Sequence, residues 1–316
     1  MSQQTIVAIG CSTDRDYSFL IPFTCLLWRD HIGHRPLALL IGNEDIWRGQ
    51  HRLNAALRAL DHHHIDRKFV GHLEGHSNGS FAQNVRHHAA ADVEILPETW
   101  IMLADADLWP IRRDFYHQHD TFNGHLVSLY SNGDHFFGKT DVLTRFDAGG
   151  GFQSIPTCHV TMRAKDWREI YEIVPGDIVA STKKTFDKME PWLARCPDQN
   201  LARWCCDQWY VTERVCRQPW FPTAAPPHPC PPGGRMFSSE NVLLVERYGH
   251  PPVDRMDRSI GSWKAYGTFD ITRWTDAHVH KNPFTPEHWD DELPVIQALL
   301  PQHAAWAQQF YEKESK

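Results

Sequence analysis

Short apolar runs, each too short for a buried helix and each stopping at a small or polar residue, alternate with helix-periodic stretches along the first half of the chain. That alternation restricts the fold more than any other feature. Thr5 to Gly10 is continuously apolar and runs into Cys11-Ser-Thr-Asp14, and Leu37 to Ile41 runs into Gly42-Asn43. Lys68 to Val70, the strongly apolar Trp100-Ile-Met-Leu-Ala104, and Leu126 to Tyr130 complete the set of expected strands. Between them, Tyr17 to His31 and Arg52 to Leu60 read as helices. Pro22 is tolerable only in the first turn of the first of these, and Gly33 ends it. Ser80 and Gln83 have the spacing of a capping box that opens a third helix, running to about Ala91. Strand and helix in alternation predict an α/β fold with a mainly parallel central sheet flanked by helices.

The second half changes character. Gly149, Gly150 and Gly151 read as a flexible loop, Cys158 to Met162 as a strand and Lys165 to Ile173 as a helix. A long helix is expected over Asp198 to Cys216 with Asp198 at its N-cap, followed by a proline-rich loop over 219–234. Glu287 to Tyr311 reads as a terminal helical segment broken near Pro294 and Pro301. The expected organisation is one domain over 1–290, divided into halves at about residue 125, with 291–316 as a helical tail. A chain of 316 residues buries a large core without cross-links. Its net charge of -7 argues against a nucleic-acid backbone as the main partner. Eight cysteines with no C-x-x-C pair argue against a structural zinc site and for reduced thiols, hence a cytoplasmic protein. No apolar stretch approaches the roughly 18 residues of a membrane span, and the N-terminus reads as a strand rather than a signal peptide.

The strongest chemical signal is Asp105-Ala-Asp107 immediately after the Trp100 to Ala104 run. In open α/β sheets, ligands bind at the carboxyl ends of the strands. Two carboxylates there repel each other unless a cation joins them, and a hard divalent ion with bound phosphates satisfies both. The continuation Leu108-Trp-Pro110 makes the pattern far more specific than D-x-D alone.

With these residues the chain resembles the GT-A glycosyltransferases, Rossmann-like enzymes that use nucleotide-sugars and carry a D-x-D metal motif. The stretch WIMLADADLWPIRRDFY is similar to glycosyltransferase sequences of large algal (chlorella) viruses and some bacteria, and the resemblance extends over roughly 5–282. It implies Mn2+ or Mg2+ held by Asp105, Asp107 and a C-terminal histidine, matched by His278 with His280 as its rival. It implies a UDP- or GDP-linked sugar donor and a glycan or other hydroxyl acceptor, with transfer inverting at the anomeric carbon. The donor would lie against Cys11, Ser12, Thr13, Gln83, Arg86 and Asp105, with Gly150 and Gly151 near the sugar. The helix-borne base is matched by Asp207, although Cys206 stands where the family more often has an acid. Trp109, Trp204 and Trp209 are candidates for the acceptor wall.

Blander readings compete with each assignment. The glycines also suit a hinge, Asp207 a helix surface, and Arg86 a local ion pair. His62-His-His64 and His87-His88 read as solvated surface, since adjacent histidines point in different directions. A nucleotidyltransferase or phosphohydrolase would use the same carboxylates and metal, and a non-catalytic sugar-binding protein would keep the same fold. The Walker phosphate loop is absent, which removes the P-loop version.

Overall fold

The computed structural model describes residues 4–129, 155, 157–194, 199–221, 236–245, 255–257 and 274–316. In chain order the strands are β1 (Ile6–Cys11), β2 (Arg35–Ile41), β3 (Asp66–Val70), β4 (Trp100–Ala104), β5 (Leu108–Pro110), β6 (Leu126–Leu129), β7 (Val160–Arg163), β8 (Met236–Ser238), β9 (Val242–Val245), β10 (Arg255–Asp257) and β11 (Asp276–His278). Helices separate most of them, so the α/β class expected from the alternation is the class observed. The chain forms two compact units. One holds 83–104 and 118–252, and the other holds 4–82, 105–117 and 253–316.

In the second unit β3, β2 and β1 run parallel, with Ile6 opposite Arg35 and Leu37 opposite Asp66. The apolar sequences of β1 and of β2 beyond Arg35 suit strands covered on both faces, and β1 is buried along nearly its whole length, whereas β3, with Asp66, Arg67 and Lys68, is only partly buried. A small second sheet, β10–β11–β5, is parallel at β10–β11 and antiparallel at β11–β5. The helix Arg15–Leu26 carries Pro22 well inside it, not in its first turn as expected, and continues as a π-helical segment, Leu27–Ile32. Gly33 ends that run with φ 95°, the left-handed region glycine adopts without a Cβ clash. Phe19 and Phe23 of this helix pack with Trp289, Phe310 and Tyr311 from the helices Pro286–Leu299 and Ala304–Glu314. The terminal helices therefore belong to this core. Pro294 lies inside the first of them, and the break falls only at Pro301.

In the first unit β7 pairs antiparallel with both β4 and β6, β6 runs parallel to β9, and β8 pairs antiparallel with β9. Thus β4, β6 and β9 share a direction that β7 and β8 oppose. The helix Ala164–Tyr171 buries Trp167, whose indole N–H donates to the Ile101 carbonyl at 3.1 Å. A helix over Ile178–Leu193 had no counterpart among the elements expected from sequence, whereas Gln199–Cys216 matches the long helix foreseen there.

The helix Asn78–Val85 begins before the expected capping box: the Ser80 N–H donates to Ser77 Oγ at 3.2 Å, so Ser77 rather than Ser80 does the capping. It tightens into a 3₁₀ turn over Arg86–Ala91. Of the histidine tracts, His62 and His64 are exposed as expected, but His63, His87 and His88 are buried. His88 is held between the Asn84 carbonyl at 3.1 Å and Thr185 Oγ1 at 2.9 Å. Tertiary packing supplied partners that the sequence did not reveal.

Candidate functional site

Asp105 follows the last residue of β4 and is half-buried, while Ala106 and Asp107 are buried. The turn is fixed on both sides. Its far side is β5, which pairs with β11 so that His278 stands opposite Leu108, and the Val279 N–H donates to the Asp107 carbonyl at 3.0 Å. That register brings His278 Nε2 to 3.5 Å from Asp107 Oδ2. The near side is the carbonyl of Ala106, which accepts the Thr24 hydroxyl at 2.6 Å. Trp109, expected as acceptor wall, is instead wholly buried, and its indole N–H donates to Thr24 Oγ1 at 3.1 Å.

The two histidines lie against different groups. His280 turns to a different set of groups: its ring lies 3.4 Å from Asp291 Oδ2 and stacks on His288 with centroids 4.1 Å apart. Its backbone N–H donates to Glu292 Oε1 at 3.0 Å. His278, by contrast, is a quarter exposed beside an almost buried carboxylate. An oxygen and an imidazole nitrogen at this separation offer two positions to a divalent ion that accepts mixed donors. Among the described residues no group of three or more His, Cys, Asp or Glu gathers tightly enough to hold a metal by itself.

The turn after β1 lies in the same unit. Gly10 has no room for a side chain, because a Cβ there would sit 1.8 Å from the Ala82 carbonyl oxygen. Ser12 is buried and its Oγ accepts from the Asp14 N–H at 3.3 Å, while Thr13 Oγ1 accepts from Asn78 Nδ2 at 3.0 Å. Asp14 caps the helix Arg15–Leu26 by accepting from the Asp16 N–H. Burial, together with Cys25 and Asp14 nearby, pushes the Cys11 thiol well up, so it is a neutral packing group.

Arg86 and Asp207, assigned separate roles from sequence, face each other in the first unit. Both are almost fully buried, with Arg86 Nη2 at 3.1 Å from Asp207 Oδ2. The same guanidinium nitrogen donates to Thr157 Oγ1 at 3.0 Å, and the Thr157 hydroxyl donates to Asp207 at 2.9 Å. His87 Nε2 lies 3.9 Å from that carboxylate, and its Nδ1 takes the Tyr171 hydroxyl at 2.6 Å. Burial alone would raise the Asp207 carboxyl, but His87, Arg86 and Thr157 outweigh it and hold it below the usual carboxylate range. This is an enclosed ion pair, not the exposed carboxylate that a base for an incoming hydroxyl requires. The blander reading of Arg86 as a local ion-pair member describes what is seen. Gln83 accepts from Arg86 Nε through its backbone carbonyl. Gly149, Gly150, Gly151 and Asp198 lie outside the described residues.

Sequence reasoning passed over Thr24, Thr157 and Tyr171, and read the buried His87 as solvated surface. Each becomes notable only through a partner 50 or more residues away. A threonine within a helix gives no signal, because such hydroxyls commonly bond back to their own helix.

No protein-family profile matches the chain, and no curated protein matches it. Among solved structures it is similar to the galactosyltransferase LgtC in complex with donor and acceptor sugar analogs, with 11% identity, a TM-score of 0.48, and 94% of this chain and 96% of that one covered. An active-site mutant of LgtC gives 12% identity, a TM-score of 0.45 and the same coverage. The bifunctional glycosyltransferase WbbM gives 10% identity and a TM-score of 0.46, covering 99% of this chain, which spans 52% of that protein. Likeness at this level assigns neither substrate nor residue roles to the present chain.

Proposed function

We propose that the protein is a metal-dependent glycosyltransferase of the GT-A kind, moving a sugar from a UDP- or GDP-linked donor to a hydroxyl acceptor in the cytoplasm. The observation that supports this reading most is the meeting of Asp107 and His278 at 3.5 Å, on a turn that follows the wholly buried strand β4. These two residues would hold Mn2+ or Mg2+, with Asp105 beside them, and the donor diphosphate would complete the coordination. When bound, the ion offsets the negative charge that grows on the departing nucleoside diphosphate.

The chain's own contribution is positioning. The β5–β11 pairing fixes His278 against Asp107, and the bonds at Ser12 and Thr13 order the turn that would receive the nucleotide. Inversion was tied to Asp207 as the base, and with that carboxylate committed to Arg86 and Thr157 the role has no assigned residue.

The test is a panel of UDP- and GDP-sugars incubated with candidate hydroxyl acceptors in Mn2+, Mg2+ or EDTA. Release of nucleoside diphosphate with a glycosylated acceptor, abolished by EDTA, is the expected result. Transfer of the nucleotidyl group with release of sugar 1-phosphate would make the enzyme a nucleotidyltransferase. Hydrolysis to nucleoside monophosphate and sugar 1-phosphate would make it a phosphohydrolase, and binding without turnover a sugar-binding protein. Full turnover in EDTA would remove the metal. The coupling constant of the product's anomeric proton tells inversion from retention.

A further inference from the structure

We infer that Thr24 is a positioning residue for the D-x-D turn, acting through the carbonyl of Ala106 to set how Asp107 meets His278. This rests on the metal-dependent reading above. Ala106 is the residue between the two carboxylates, so what holds its carbonyl acts on the turn alongside the β5–β11 pairing and the Val279 N–H on the Asp107 carbonyl. That holder is a single hydroxyl on the helix Arg15–Leu26, 82 residues earlier in the chain, at 2.6 Å. No other contact to the Ala106 carbonyl is needed to account for its place.

The direction of each bond follows from the chemistry. An indole N–H only donates and a peptide carbonyl only accepts. Trp109 therefore donates to Thr24 Oγ1 at 3.1 Å, and the one hydroxyl proton of Thr24 is left to give. Two carbonyls compete for it, Leu20 at 3.2 Å and Ala106 at 2.6 Å. The shorter contact takes the proton, and the Leu20 carbonyl is already served by the backbone of its own helix. Thr24 and Trp109 are both wholly inaccessible to solvent, so water cannot replace a lost partner. The relay Trp109 to Thr24 to Ala106 thus spans the D-x-D turn from both sides, since Trp109 lies two residues beyond Asp107.

A valine at position 24 keeps the side chain's shape but sets a methyl group where the hydroxyl stood, far inside carbon–oxygen contact distance. The turn must then move, and the indole N–H and the Ala106 carbonyl lose their partner. Partners that orient metal-binding side chains typically change metal affinity by about 10- to 100-fold when removed.

The test is Mn2+ titration of the intact protein, with free Mn2+ read by electron paramagnetic resonance, beside thermal unfolding of each variant without metal. Thr24→Val is expected to weaken Mn2+ binding at least about 10-fold, and Thr24→Ser to restore it to within about 3-fold of the parent. A residue that only supported the core would lower the melting temperature and leave Mn2+ affinity unchanged. Equal Mn2+ affinity in the parent and Thr24→Val overturns the inference alone. Absence of Mn2+ binding by the parent, with UDP or GDP present as well as without, overturns it together with the metal-dependent reading. If Thr24→Val does not fold, Thr24→Ala, which introduces no clash, is read in its place with the same expected loss.

Discussion

Asp207→Asn separates two roles for the carboxylate that its buried ion pair with Arg86 sets against each other. In the structure Arg86 and Asp207 are 3% and 2% exposed and 3.1 Å apart. Asparagine keeps the shape and one acceptor oxygen for Thr157, but takes the carboxylate charge away from the buried guanidinium. Removing one partner of such a pair costs about 3–5 kcal/mol, far more than a surface pair contributes. For a unit of this size that is a fall in Tm on the order of 10 °C. Urea unfolding at pH 7.5 of parent, Asp207→Asn, Arg86→Met and the double variant gives the coupling directly, and the double variant is expected to recover part of the loss. The pH dependence has a definite sign. Because the folded carboxyl lies below its unfolded value, the pair's stabilisation is complete above about pH 4 and is lost as pH falls through the folded value. If Asp207→Asn instead keeps stability to within about 1 kcal/mol while sugar transfer falls 100-fold or more, the ion-pair argument is refuted and the carboxylate is the base.

Asp107→Ala is expected to cut Mn2+-dependent turnover by about 100-fold or more with an unchanged circular dichroism spectrum, and an unaffected rate would remove the D-x-D turn from the chemistry. His278→Ala should weaken Mn2+ binding, measured by titration calorimetry, more than His280→Ala does, because only His278 faces Asp107. The reverse order would transfer the ligand role to His280. His88 offers a pH test of the first unit's core, since burial and the neighbouring His87 push it down to about 3. Its neutral form is the folded one, so its contribution is complete above pH 6.5 and falls by about 2 kcal/mol between pH 8 and pH 5. His88→Gln should remove that slope from urea denaturation measured against pH, and an identical slope in the variant would place the proton uptake elsewhere.

The local elements were legible where one kind of signal sufficed. β4 over Trp100–Ala104 and the stop at Gly33 follow from apolar run length and from glycine's access to positive φ. Pro22 misled, because a single missing N–H within an otherwise buried helix is outweighed by the packing of Phe19 and Phe23 on the terminal helices. The buried histidines misled in the same direction: His88 reads as polar, yet Thr185, from a helix not foreseen, takes one of its ring nitrogens.

The sequence by itself determined the α/β class and drew attention to Asp105, Asp107 and His278, because strand length, helical period and a carboxylate pair after an apolar run are properties of neighbours along the chain. Which histidine meets Asp107 was decided only by the tertiary structure, since the choice depends on the register in which β11 lies along β5. The pairing of Arg86 with Asp207, and the hydroxyl of Thr24 on the Ala106 carbonyl, are likewise tertiary facts. A hydrogen bond or ion pair between residues 82 or 121 positions apart leaves no trace in local pattern. Its direction and strength exist only once burial has excluded water from both partners.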